Sequence, residues 1–252
     1  SKSLFPANVY GDELIKQEEK LAETSDICFA SAPGLFDKLK KYNENVFYTP
    51  NVGDYKRFKN SKSYKYKIPK DLAAISRPRI GMIGALDEYK FDADLVRQCA
   101  ESNPDMNFVL IGPLALKDKS ATLKDIGLSG IDNIHYLGPC PYEKKKFYYA
   151  GFDVDIIPYQ LNDYTVGGCF PVKFHDSLAA GLPIVVTDLP AYAPFEEFCY
   201  ISKSYDEFCK NIKRALEEDN PKKIRQRQQV AKENDWDYKV DKMMEHIESV
   251  DF

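Results

Sequence analysis

Val154-Asp-Ile-Ile157, Pro171-Val-Lys-Phe-His-Asp-Ser-Leu-Ala-Ala180 and Ile184-Val-Val-Thr187 follow one another as a short apolar run, a helical segment opened by proline, and a second apolar run. Two β-branched runs of four joined by a helix are the pattern of parallel strands with a crossover between them. The alternation continues in both directions. Upstream stand Ile80-Gly-Met-Ile83, Phe108-Val-Leu-Ile111 and Ile134-His-Tyr-Leu137, and downstream the weaker Cys199-Tyr-Ile201. Helical patterns fall between them over 92–102, 120–126 and 142–150, and three more follow over 205–218, 221–233 and 238–249. The expected fold is α/β: a Rossmann-like parallel sheet flanked by helices over residues 79–235, followed by a C-terminal helix over 236–252.

The amino-terminal part reads differently. A helix is expected over 13–24, with Leu14, Ile15, Leu21 and Ala22 set among charges, then a strand over 26–31, a helix over 33–42 and a strand over 46–49 ending in the turn Pro50-Asn-Val-Gly53. This is a small, incomplete α/β segment, residues 1–59. Lys56 to Arg77 is rich in Lys, Ser and Tyr and poor in aliphatics, and is read as a linker, placed at 60–78.

Composition narrows the function. With 35 basic and 39 acidic residues the formal charge is −4, which disfavours nucleic acid as the main partner. No run of about 20 apolar residues is present, as a membrane span requires. The six cysteines lack a CxxC pair, and only three histidines accompany them, so they are read as reduced thiols, no metal site is expected, and the location is read as cytoplasmic.

Ligands of open parallel sheets bind beyond the carboxyl ends of the strands. Four segments lie there: Gly84-Ala-Leu-Asp-Glu-Tyr-Lys90, Gly138-Pro-Cys-Pro141, Pro158-Tyr-Gln-Leu-Asn-Asp-Tyr-Thr165 and Gly167-Gly-Cys-Phe-Pro171. The last reads as a glycine loop before a helix whose first N–H groups are free, an anion site. Lys173 and Asp176, three apart, fall on one helix face. A cation there suits a phosphate, and the carboxylate suits a ribose diol.

Several stretches resemble the nucleotide-sugar-binding domain of GT-B glycosyltransferases, family 4-like. They are Asn133-Ile-His-Tyr-Leu-Gly138, Tyr148-Tyr-Ala-Gly-Phe-Asp-Val154, Ile157-Pro-Tyr159, Asn162-Asp-Tyr-Thr165 and Pro171 through Asp188. The last of these resembles the usual family pattern P-x-K-x-x-E-Y-L-A-A-G-x-P-V-V-x-T. Thr49-Pro-Asn-Val-Gly-Asp54 is similar to the family's P-N-G-V-D hinge, and Asn234-Asp-Trp-Asp237 to its N-x-W-D signal. The resemblance implies transfer of a sugar from a nucleoside diphosphate, UDP or GDP, to a glycan or lipid-linked acceptor, with retention and without metal or other cofactor. Carried over by position, Lys173 and Lys90 stabilise the leaving diphosphate and Asp176 holds the ribose. Gly84, Pro139, Tyr159, Asn162, Thr165, Pro171 and Val172 line the donor site.

Two positions depart from the family. Gly168 stands where a sugar-contacting Glu is usual, and Asp176 replaces the ribose-binding Glu. The chain is also too short for a second Rossmann-like domain, so only the end of an acceptor domain is expected. Peripheral membrane contact through the missing domain and self-association through Leu14, Ile15 and Leu21 are further expectations. Two other readings stay open: a non-catalytic nucleotide-binding or assembly module of this fold, and a nucleotide-sugar epimerase of GT-B fold. A dinucleotide oxidoreductase is disfavoured, because no GxGxxG follows a strand.

Overall fold

The computed structural model describes residues 12–118 and 120–250; residues 1–11 of the amino-terminal segment and 251–252 of the last lie outside them. The first elements are α1 (Asp12–Thr24), β1 (Cys28–Ala30), α2 (Pro33–Leu39) and β2 (Val46–Tyr48), with β1 and β2 paired in parallel. Next come α3 (Tyr55–Phe58), a 3-10 turn at Ser61–Lys67 and α4 (Lys70–Ala73). The main body follows as β3 (Arg79–Ile83), β4 (Leu86–Asp87), α5 (Ala93–Glu101), β5 (Asn107–Ile111), β6 (Leu114–Ala115), β7 (Ile134–Tyr136), α6 (Lys145–Tyr149) and β8 (Val154–Ile157). It continues through α7 (Asp163–Gly168), α8 (Val172–Ala179), β9 (Ile184–Thr187), β10 (Tyr200–Ser202), α9 (Tyr205–Glu218), α10 (Pro221–Glu233) and α11 (Trp236–Glu248).

Six strands form one parallel sheet in the order β10-β9-β8-β3-β5-β7. The chain builds outward from β3 through β5 to β7, returns to the other side of β3 as β8, and builds outward again. The order therefore reverses between β3 and β8, which opens a crevice at their carboxyl ends. Alternation along the strands feeds two cores. Ile80, Met82, Phe108, Leu110, Val154 and Ile156 join one cluster with Leu95 and Val96 of α5 and Phe208 and Ile212 of α9. Ile83, Val109, Ile111 and Ile157 join the other, with Tyr149 and Phe152, and Phe174 and Leu178 of α8. Both faces of the sheet are thus covered, as a parallel sheet requires.

The stretch read as a linker, with a weakly helical patch near Leu72, is a series of short helical turns packed on the core. Its aliphatic-poor composition concealed two apolar anchors, Phe58 and Leu72, both fully buried. Phe58 meets Tyr149 edge-on with centroids 5.5 Å apart. The helix expected over 120–126 is a 3-10 turn, Leu123–Ile126, started by a Thr122–Asp125 capping box, and the last strand begins one residue late, at Tyr200.

One expectation about the cysteines is corrected. Cys28, Cys140, Cys169 and Cys199 are free, but Cys99 of α5 and Cys209 of α9 are joined by a disulfide. The two helices share one face of the sheet, a proximity that 110 residues of separation hide from a linear reading. Closing a loop of that length implies that reduction costs roughly 2–4 kcal/mol. Urea midpoints with and without dithiothreitol check this; coincident midpoints would mean that the bond does not form.

Candidate functional site

Gly84 follows β3 directly, its N–H donating to Ile111 O at 2.8 Å. A Cβ added there would lie 2.7 Å from Lys173 Nζ, so the missing side chain is the room the ammonium occupies. Lys173 belongs to the first turn of α8, whose start at Pro171 carries no side-chain cap. Its Nζ also lies 4.8 Å from the centroid of the Tyr159 ring, just past β8. Three elements that meet at the switch point, the ends of β3 and β8 and the start of α8, thus converge on one ammonium. Burial pulls Lys173 down from its ordinary range, opposed by the nearby Asp155 carboxylate, while Lys90 adds positive charge and pulls it further down.

Lys90 is the second cation. Its Nζ pairs with Asp87 Oδ2 at 3.1 Å, and its loop is laced to the segment after β8. Gln160 N donates to Lys90 O at 2.7 Å, Asp92 N to Pro158 O at 2.9 Å, and Asn162 Nδ2 to Tyr89 O at 2.7 Å. Asn162 and Thr165 are chiefly structural here. Asn162 Oδ1 accepts from the backbone N–H groups of Tyr164 and Thr165, and the buried Thr165 hydroxyl donates to Gln160 O. That cap starts α7, which takes in Gly167 and Gly168. The expected glycine loop is therefore the end of a short helix, and the N–H groups left without a side-chain cap beside it are those at the start of α8. Val172 is exposed at that start. Pro139 follows β7, two strands from β3, which sets it on the order of 10 Å away across the sheet.

Asp176 shares a helix with Lys173, but their polar ends part. Asp176 is buried, and its Oδ1 accepts from Asp54 N at 3.1 Å. Gly53 lets this contact form, since a Cβ there would stand 2.7 Å from His175 Cβ. The neighbouring His175 is enclosed by Phe170, Phe174 and Phe195 rather than facing the crevice. His135 bonds Asn107 Oδ1 through Nε2 at 2.8 Å.

One buried group escaped the sequence reading. Asp155, in the middle of β8, accepts from Ser177 Oγ at 2.5 Å, and burial drives it upward from the carboxylate range. A charge inside the apolar run Val-Asp-Ile-Ile was the available signal. Among the described residues no group of three or more His, Cys, Asp or Glu could hold a metal ion, and no helix is long and apolar enough to cross a membrane.

Burial holds Asp176 up at about 6 and His175 down at about 4. Between about pH 4 and 6 the folded chain retains a proton on Asp176 that the unfolded chain releases, so this contribution to stability shrinks as pH rises. Between about pH 4 and 6.5 the unfolded chain protonates an imidazole that the fold keeps neutral, so the contribution of His175 shrinks as pH falls. The two slopes oppose. Asp176→Asn is expected to gain about 2 kcal/mol at neutral pH and to lose stability on acidification to about pH 5, where the parent changes little. Urea midpoints at both pH values test this, and equal pH dependence in the two proteins would contradict it.

The chain is 26% identical over 165 residues to TuaH of Bacillus subtilis, named a teichuronic acid biosynthesis glycosyltransferase. The match takes in 62% of this chain and 40% of TuaH, so the chain spans well under half of that relative. Among solved structures, HepE of Anabaena, in complex with UDP and glucose, superposes with a TM-score of 0.74 at 15% identity, covering 99% of this chain and 70% of HepE. Sucrose-phosphate synthase of Thermosynechococcus elongatus gives 0.67 at 16%, covering 96% and 62%. At those identities the likeness speaks for the fold, which is the GT-B half expected above. The family model for glycosyl transferases group 1 matches residues 77–218, more than half of the sequence, and the chain belongs to that family.

Proposed function

We propose that this chain is the donor-binding part of a transferase that moves a sugar from a nucleoside diphosphate, UDP or GDP, to a glycan or lipid-linked acceptor. The observation that carries the reading is the Lys173 ammonium, wedged between Gly84 and the Tyr159 ring at the switch point of the sheet. Partly desolvated, it meets an incoming diphosphate with little water to displace, and a charge-assisted bond there is stronger than in open solvent. Two relatives lend support: HepE was solved with UDP-glucose, and TuaH is named for polysaccharide synthesis.

In this reading Lys173, Lys90 and the N–H groups at the start of α8 stabilise the charge that develops on the leaving diphosphate. Asp176 makes no hydrogen bond among the described residues through Oδ2, which is left to accept from the ribose. Pro139 borders the base. Configuration is retained, no metal takes part, and any base lies on the donor phosphate or the acceptor-binding domain.

The test is a thermal-shift and calorimetry panel of UDP, GDP and ADP on the chain. A ligand at about one hundred times its Kd stabilises the fold by about 2.7 kcal/mol, a clear shift. Stabilisation by one diphosphate over the others names the base. If no diphosphate stabilises the chain at millimolar concentration, the donor reading is wrong for it.

A further inference from the structure

A strongly basic face lies outside the candidate site. Residues 56–70 hold seven Lys or Arg and no Asp or Glu, in a chain whose formal charge is −4; Lys56 pairs with Asp237 and Arg57 with Asp54, and the other five have no ion-pair partner among the described residues. The 3-10 turn Ser61–Lys67 packs on α6, which adds Lys146. The contact is aromatic. Tyr64 meets Phe147 edge-on at 5.3 Å, and the ammonium groups of Lys146 and Lys67 lie 5.2 and 6.0 Å from the Tyr64 ring. Lys65 Nζ lies 5.3 Å from the ring of Tyr66, a tyrosine 88% exposed. Among the described residues, no carboxylate is within ion-pair distance of Lys65, Lys67 or Lys146.

We propose that this face docks the protein on a membrane surface rich in anionic headgroups. Elsewhere the basic runs are offset: in α10 Lys223 pairs with Glu218 and Arg227 with Asp219, and α11 interleaves Lys239, Asp241, Lys242 and Glu245. Here Lys65, Lys67 and Lys146 are unpaired among the described residues and interleaved with tyrosines, whose rings favour the boundary between water and lipid. Each Lys brought to an anionic surface adds to the binding, and long lysine stems let several heads reach one plane. The cleft lined by Leu189 and Arg214 and the one lined by Phe91 and Tyr159 do not include these side chains. This inference does not depend on the donor site.

The experiment is co-sedimentation of the chain with phosphatidylcholine vesicles, with and without about one-third phosphatidylglycerol. Binding is expected only to the anionic vesicles and is expected to fall steeply with added salt. The variant Lys65→Gln/Lys67→Gln/Lys146→Gln should lose about 100-fold in partitioning, and Tyr66→Ser should lose less. A control, Lys222→Gln/Arg225→Gln/Lys232→Gln, removes the same charge from exposed positions of α10 and should bind like the parent. Circular dichroism of each variant confirms the fold. Absence of binding, equal binding to neutral vesicles, or parent-like binding by the first variant would each overturn the proposal. So would equal binding of duplex DNA at matched charge, which would make the face a general polyanion site.

Discussion

Lys173→Met is expected to lose roughly 10- to 100-fold in affinity for the stabilising nucleoside diphosphate while keeping its melting temperature. The size follows from what the ammonium does. A hydrogen bond to a charged group contributes about 1.5–3 kcal/mol net, and this one forms in a partly desolvated crevice. Methionine keeps the stem that fills the space beside Gly84 and Tyr159, so packing is spared and the charge is lost. Removing the cation also leaves Asp155 without its nearest opposing charge, and the carboxyl answers by staying protonated. Lys90→Ala should cost less, since its ammonium is shared with Asp87. Calorimetry with the diphosphate chosen by the panel decides. An affinity within twofold of the parent would move the diphosphate away from Lys173 and with it the whole donor assignment.

The largest stability effect is expected at Gly112. Its φ of 152° lies where side chains are strained, and an added Cβ would stand 1.8 Å from the carbonyl oxygen of Gly84. Backbone cannot swing away as a side chain end can. Gly112→Ala is therefore expected to cost about 3 kcal/mol or more, or to fail to fold. Gly130→Ala is the control, with φ of 76° and open space around it, and should cost about 1 kcal/mol. Urea midpoints separate them. Where the alanine variant at 112 folds, displaced Gly84 should weaken diphosphate binding as well. Equal midpoints for the two variants would show that the loops after β3 and β5 need no such close approach.

The sheet was legible because buried parallel strands advertise themselves as short apolar runs, and Ile80–Ile83, Phe108–Ile111, Val154–Ile157 and Ile184–Thr187 all lie within strands. The strap between residues 56 and 77 was not, because its buried anchors, Phe58, Leu72 and Ile75, stand far apart amid lysines and tyrosines. Of the site, Lys173, Gly84 and Tyr159 could be named from their places beyond strand ends, and the structure brings these three together. Asp176 could be named too, but not the backbone of Asp54 that occupies one of its oxygens, since that contact spans 122 residues. Gly167 and Gly168 misled for a local reason. Two glycines in a row signal a loop, yet the cap at Asn162 was strong enough to carry a helix through them.

The chain passes between its small and large sheets twice, outward near Val52–Asp54 and back near Asn234–Asp235. The passages touch: Gly53 N donates to Asn234 O at 3.2 Å, and Gly53 bridges Asp235 in parallel. Beyond them α11 returns to the small sheet, where His246 stacks on Phe47 at 4.0 Å. A single tether would leave a universal joint. Two segments bridged side by side resist torsion more than a single one does. A shift of the small sheet would therefore bear directly on the Asp54–Asp176 contact beside the bridge.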